Sequence, residues 1–159
     1  MSGPTIRPRR LRRTPAVRAL ARETHLAPSQ LVLPVFVREG LTEAQPILSM
    51  PGVVQHPLSE VGRVAARVAE AGLGGIMLFG VPETRDATGS GILDPKGILN
   101  RAIRAAVVEV GDATVIQADL CLDEFTNHGH CGVLDAHGAV DNDATLELYA
   151  QAAVAQAEA

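Results

Sequence analysis

Residues 114–132 read Thr-Val-Ile-Gln-Ala-Asp-Leu-Cys-Leu-Asp-Glu-Phe-Thr-Asn-His-Gly-His-Cys-Gly. The first five residues form a short apolar run. The last fourteen hold both cysteines of the chain, two of its five histidines and three carboxylates. If the apolar run is a strand, the cluster lies where that strand ends and a loop begins. In α/β folds such strand-end loops carry the chemistry. Thiolates, imidazoles and carboxylates are also the side chains that hold divalent metals.

The pattern before this stretch is an alternation of buried strands and amphipathic helices. Leu31–Val37 and Gly75–Val81 are continuous apolar runs without polar alternation, as expected of parallel strands buried on both faces. Pro34 counts against a central position for the first, because it cannot donate to a ladder. A turn-rich loop is expected to follow, through Pro46 and Pro51-Gly52. From Leu58 onward, Val61, Val64, Ala65, Val68 and Ala69 recur on one helical face. Glu60, Arg63, Arg67 and Glu70 lie opposite, and Gly72 is placed to end the helix.

A polar loop is expected over 82–93. Gly89-Ser90-Gly91 within it lacks the Lys-Ser/Thr that a phosphate loop needs. Asp94-Pro95 reads as an N-cap with proline at the first helical position. The helix after it is expected to bury Ile98, Leu99, Ile103, Ala106 and Val107. Thr114–Asp119 is the third strand. Beyond the cluster, 132–134 and 138–140 pair as a hairpin around Asp135-Ala136-His137. Asp141-Asn142-Asp143 then caps a final helix from about Ala144.

Strands starting near 31, 75 and 114, each followed by a helix, give about three βα units. The last helix reaches Ala159 without a glycine, proline or basic residue to close it. Three units fall well short of the eight that close a barrel of about 250 residues. The sequence therefore reads as cut off within an alternating array.

Length and composition suit one α/β domain, with 159 residues and 47% hydrophobic. No run approaches the roughly 18–20 apolar residues of a membrane span, and the start does not resemble a secretory signal. Two cysteines do not make a disulfide scaffold. A cytoplasmic, reducing setting is expected, which leaves both thiols free.

Charge is unevenly spread. Seven of the 14 basic residues (Arg7, Arg9, Arg10, Arg12, Arg13, Arg18 and Arg22) precede the first acidic residue, Glu23. The net charge of −4 thus hides a +7 arm on a −11 body. Pro4, Pro8 and Pro15 disfavour a helix before residue 15, while a short one over 16–23 is possible. Residues 1–30 read as a basic N-terminal arm. Packing on an acidic surface, its own or a neighbour's, fits this arm better than solvated disorder, nucleic-acid binding or a transit peptide.

Within the cluster, Cys121 and Asp123 are two apart and share a direction in extended chain. Gly129 and Gly132 allow the reversal that would bring Cys131 back to them. Two thiolates and a carboxylate then make a three-ligand site with an open position, as for a metal that handles substrate or water. One oxygen in place of sulfur shifts preference toward harder ions. His128 and His130 are candidates for a further ligand, a second metal or a group that orients a ligand. Blander readings stand beside these. Cysteines at strand ends are often small buried hydrophobes. His-Gly-His is often solvated, Asp119 can simply satisfy loop amides, and 141–143 need be no more than helix caps.

The run from Asp119 to Gly132, continued by Val133-Leu134 and Asp141–Thr145, resembles the porphobilinogen synthase (5-aminolevulinate dehydratase) family. Arg7–Arg13, the Leu33–Val37 strand, Met50-Pro51-Gly52 and Leu78–Val81 fit the same family in order. The resemblance covers nearly the whole chain but only about the first half of a family member. It implies a (β/α)8 barrel whose N-terminal arm embraces a neighbouring subunit, usually in an octamer. It also implies condensation of two 5-aminolevulinate molecules to porphobilinogen with loss of water, in haem and other tetrapyrrole synthesis.

The resemblance assigns roles residue by residue. Cys121 and Cys131 match the first and third cysteines of a zinc-binding triplet, and Asp123 stands at the middle one. Some branches replace these cysteines and use magnesium or monovalent ions, so zinc is expected, with magnesium as an alternative or additional ion. Asp119 matches an active-site aspartate, and His130 a metal-associated histidine. The Schiff-base lysines of the family have no counterpart here, because the single lysine, Lys96, matches neither. The chain alone is therefore expected to be inactive. The competing reading is a non-catalytic metal-binding half-barrel that associates with full-length subunits; a different metal-dependent aldolase-type barrel is weaker. Expected partners are 5-aminolevulinate and further copies of the chain, with no nucleic acid and no membrane.

Overall fold

The computed structural model of the chain describes residues 3, 5, 6 and 9–159. Pro4, Arg7 and Pro8 of the expected arm lie outside the described residues. Arg10–Arg12 form a 3-10 turn, and α1 spans Pro15–Leu20. Its N-cap is Thr14, whose hydroxyl accepts the Val17 N–H, and proline opens the helix. Every residue from Arg9 to Gln30 is exposed except the half-buried Val17. The arm region meets the body where Gly74 N–H donates to the carbonyls of Pro28 and Leu31.

The body is a five-stranded sheet in the order β2-β3-β1-β4-β5, with ranges Val32–Arg38 (β1), Gln45–Pro46 (β2), Val54–His56 (β3), Gly75–Val81 (β4) and Val115–Ala118 (β5). β1 runs parallel to β3 and β4, and β4 parallel to β5; only β2 is antiparallel, against β3. Helices α2 (Val61–Glu70), α3 (Ile98–Val110) and α4 (Asn142–Ala157) follow β1, β4 and β5 in the chain. The expected order of three strand-then-helix units is therefore present.

Three expectations about the sheet need correction. The 39–57 segment is not only loop, because β2 and β3 extend the sheet there. β1 is internal despite Pro34. Its ladder with β3 involves only Phe36 and Val37, so Pro34 lies where β4 alone is alongside, paired with Met77. Nor is β1 buried throughout. Val35 and Val37 are in the core, whereas Leu31, Val32 and Leu33 are exposed. Leu33 and Pro34 open onto a cleft of about 400 Å³ walled by Val53, Val64 and Val68. β4 meets the expectation more fully, with five of its seven residues buried.

The helices bury the faces their periodicity marks out. In α2, Val61, Val64, Ala65 and Val68 are buried. The helix ends in a Schellman arrangement: Leu73 N–H donates to Val68 O at 3.1 Å and Gly72 N–H to Ala69 O at 2.9 Å. Gly72 has φ +67°, a conformation that costs glycine nothing. α3 starts later than Asp94-Pro95 suggests, with Gly97 as its N-cap. Asp94 instead closes a turn of its own. Its carboxylate accepts Lys96 N–H at 2.8 Å and its carbonyl accepts Gly97 N–H at 2.9 Å. Asn100 pins this turn by donating to the carbonyls of Ile92 and Asp94. Ala102 joins the expected core of α3, but Val107 remains 45% exposed.

After the cysteines, the expected hairpin reduces to one antiparallel bridge, Leu134 with Val140, closed by Asp135 N–H to Ala139 O at 2.7 Å. Asp141 then caps α4, accepting Ala144 N–H at 3.1 Å. The expected capping role of Asp141 is met.

The loop between β4 and α3 is stitched to the cysteine loop. Asp86 and Thr126 form a parallel bridge, with Asp86 N–H donating to Phe125 O and Asn127 N–H to Asp86 O. The Asp86 carboxylate also accepts both the amide and the hydroxyl of Thr88 and of Ser90. Led by the Ser90 hydroxyl, these bonds lower its pKa to about 2, against a smaller opposing effect of burial. The folded value lies below the unfolded one, so the stabilisation is present above about pH 4 and is lost as pH falls toward 2. Because Asp86 is largely exposed, its size is on the order of 1 kcal/mol or less. Acid unfolding followed by circular dichroism should show an Asp86→Asn variant less stable at pH 6 and nearly matched to the parent at pH 2. An unchanged difference between the two pH values would refute this.

Candidate metal centre

The site lies where the cluster was expected, at the C-terminal end of β5. Asp119 directly follows the strand, and its N–H donates to Leu78 O of β4 at 3.0 Å. The chain then turns into the core. Leu122 and Phe125 are buried at 0% and 3% exposure, and Phe125 N–H and Thr126 N–H both donate to Leu122 O. Thr126 is fully buried, and its hydroxyl donates to His130 O at 2.9 Å. That bond closes the loop over Asn127-His128-Gly129, where Gly129 takes φ +74°.

This fold-back brings the three expected ligands together. One ligand atom each from Cys121, Asp123 and Cys131 lies within 4.8 Å of the others. Neither cysteine is buried: Cys121 is half-buried and Cys131 exposed, both as free thiols. The reading as small core hydrophobes fails on that point. A set of two sulfurs and one carboxylate oxygen within 4.8 Å of one another can hold a metal ion.

The histidines sit otherwise. His128 is held by its two ring nitrogens: Nε2 lies 3.1 Å from Ala87 O, and Nδ1 accepts His130 N–H at 3.2 Å. Nδ1 as acceptor and Nε2–H as donor fix one neutral tautomer. His128 thus ties the cysteine loop to the β4–α3 loop. His130 is exposed and its ring lies 5.5 Å from that of His128. Neither joins the Cys121, Asp123, Cys131 group.

Partial burial raises three titratable groups of the cluster. Burial pushes the Cys121 thiol up to about 12; the Asp123 backbone N–H opposes this, while the Cys131 side chain and the Asp123 carboxylate add to it. Burial, then the Asp123 carboxylate, raises Asp119. Glu124 is raised by burial and partly lowered again by Arg85, its ion-pair partner at 3.2 Å. A cation taking Cys121 as a ligand must therefore displace its thiol proton, and such binding strengthens with pH.

Two contacts at the site were not foreseen. Tyr149 donates its hydroxyl to Cys131 O at 2.6 Å, and Gln156 donates Nε2–H to Asp119 O at 3.0 Å. Both belong to α4. Their seven-residue spacing, and the presence of only one tyrosine in the chain, were available signals.

Residues 5–159 match the family model described as delta-aminolevulinic acid dehydratase. The delta-aminolevulinic acid dehydratase of Mycobacterium leprae is 59% identical over 157 residues, covering 98% of this chain and 48% of that protein. The Escherichia coli enzyme of the same name is 43% identical over 153 residues, covering 96% of this chain and 47% of that one. A Toxoplasma gondii delta-aminolevulinic acid dehydratase, solved in complex with the reaction product porphobilinogen, superposes with a TM-score of 0.85 at 34% identity. That match covers 96% of this chain and 44% of the other. The chain spans about half the length of the curated relatives it matches. With the family model running through β5, the cysteine loop and α4, the chain belongs to the delta-aminolevulinic acid dehydratase family.

Proposed function

We propose that this chain carries the metal centre of a porphobilinogen synthase, which condenses two 5-aminolevulinate molecules to porphobilinogen with loss of water in tetrapyrrole synthesis. The observation that carries the reading is the convergence of Cys121, Asp123 and Cys131 within 4.8 Å, in a chain of this family. Cys121 and Cys131 serve as thiolate ligands and Asp123 as the oxygen ligand. Two sulfurs favour zinc, while the carboxylate leaves room for magnesium in its place or at another site. When bound, the ion supplies Lewis acidity toward a substrate oxygen.

Asp119 borders the group, and its raised pKa suits a carboxyl that takes up and releases a proton at a substrate amine or hydroxyl. His128 orients the loop, and His130 lies exposed beside it. The family reading calls for amine nucleophiles that form Schiff bases. Lys96 does not fit that part: it is exposed in the turn before α3, not in the desolvated setting that activates an amine nucleophile. On this reading residues 31–159 are the first part of a (β/α)8 barrel and residues 1–30 a basic arm before it. The exposure of the arm's described arginines supports a role in joining copies of the protein.

Metal content is the first test. The parent chain should bind one zinc, and Cys131→Ala should lose it or bind at least tenfold more weakly. Unchanged stoichiometry and affinity in Cys131→Ala would refute the ligand set. The 159-residue chain alone should give no porphobilinogen from 5-aminolevulinate in a colorimetric assay, and product above a no-protein blank would overturn the assignment of Lys96. Deleting residues 1–22 should shift the protein to smaller assemblies in sedimentation analysis while leaving metal uptake intact. An unaltered sedimentation profile would remove the arm's role.

A further inference from the structure

Thr145, Tyr149, Ala152 and Gln156 recur along α4 at i, i+4, i+7 and i+11, which places them on one face. Three of them grip the cysteine loop or its flanks. Thr145 accepts Val133 N–H at 3.0 Å and donates its hydroxyl to Asp141 O at 2.6 Å. Tyr149 holds Cys131 O, and Gln156 holds Asp119 O. Ala152, fully buried, lets the helix approach the core. The fit is close: a Cβ on Gly132 would stand 2.8 Å from Thr145 Oγ1 and 2.7 Å from Val140 Cγ1.

Tyr149 differs from the others in touching both cysteines. Its hydroxyl oxygen is 2.6 Å from Cys131 O and 3.9 Å from Cys121 Sγ. Cys131 is exposed and lies in no helix or strand, so local structure does little to fix it. We propose that Tyr149 is a positioning residue for the metal group: its hydroxyl ties the returning Cys131 segment to a rigid helix beside the Cys121 sulfur, and so sets the gap between the two thiolates. The inference rests on the metal-site reading above. Groups outside the ligand set that orient ligands typically govern metal affinity by 10–100-fold.

Tyr149→Phe keeps the ring and removes only the hydroxyl. Cobalt(II) titration of the whole protein, read through the sulfur-to-cobalt charge-transfer band and the visible d–d bands, tests the idea. The Phe variant is expected to bind cobalt about tenfold more weakly and, when saturated, to show a shifted or weakened charge-transfer band. A saturated spectrum and an affinity identical to the parent's would overturn the inference, even if thermal stability fell, since that pattern marks a purely structural role. Absence of any sulfur-to-cobalt band in the parent protein would instead overturn the ligand assignment itself, and this inference with it.

Discussion

The site depends on a chain reversal that is anchored from within. Leu122 and Phe125 fall between the ligands in sequence, and both are buried in the same core as α2, α3 and the sheet. Their burial fixes the loop from the inside, with Cys121 and Asp123 half-buried and Cys131 exposed beside them. Burying two such side chains stabilises by about 1.5–3 kcal/mol each relative to leaving them exposed. Thr126 to His130 O, His128 to Ala87 O and Tyr149 to Cys131 O then hold the returning half. The two thiols meet because an apolar anchor and three hydrogen bonds act on a segment of eleven residues.

The sheet supplies the other half of the constraint. β5 pairs in register with β4, Leu78 opposite Ala118, and the ladder continues through Asp119 N–H to Leu78 O. The start of the cluster is therefore placed by the most fully buried strand of the body. Functional side chains sit just past the ordered strand, where rigidity ends and backbone freedom begins. The neighbouring β4–α3 loop, braced by Asp86, forms a second wall against the same segment.

Much of this was legible in the sequence because its signals are local. The unbroken apolar run of β4 gave its exact limits, and the 3.6-residue period and Gly72 gave the extent of α2. Cys121, Asp123 and Cys131 could be singled out by residue type and spacing, whereas Asp119 was marked only by the family resemblance. What escaped reading depends on tertiary partners. Asp94-Pro95 has the composition of a helix cap, yet Asn100 and Gly97 make it a separate turn. β2 and β3 are two and three residues long, too short for a periodic signal. The exposure of Leu31, Val32 and Leu33 follows from what lies against β1, which composition does not encode. Tyr149 was hidden because α4 mixes its small, polar and apolar residues around the helix, so the gripping stripe does not stand out as hydrophobic.

Zinc K-edge X-ray absorption on the zinc-loaded protein tests the central claim most directly, because it counts sulfur neighbours without altering any residue. Convergence of the two loop arms predicts two sulfur scatterers at about 2.3 Å, with the remaining neighbours oxygen or nitrogen at about 2.0–2.2 Å. A first coordination sphere holding only oxygen and nitrogen, or a single sulfur, would contradict it.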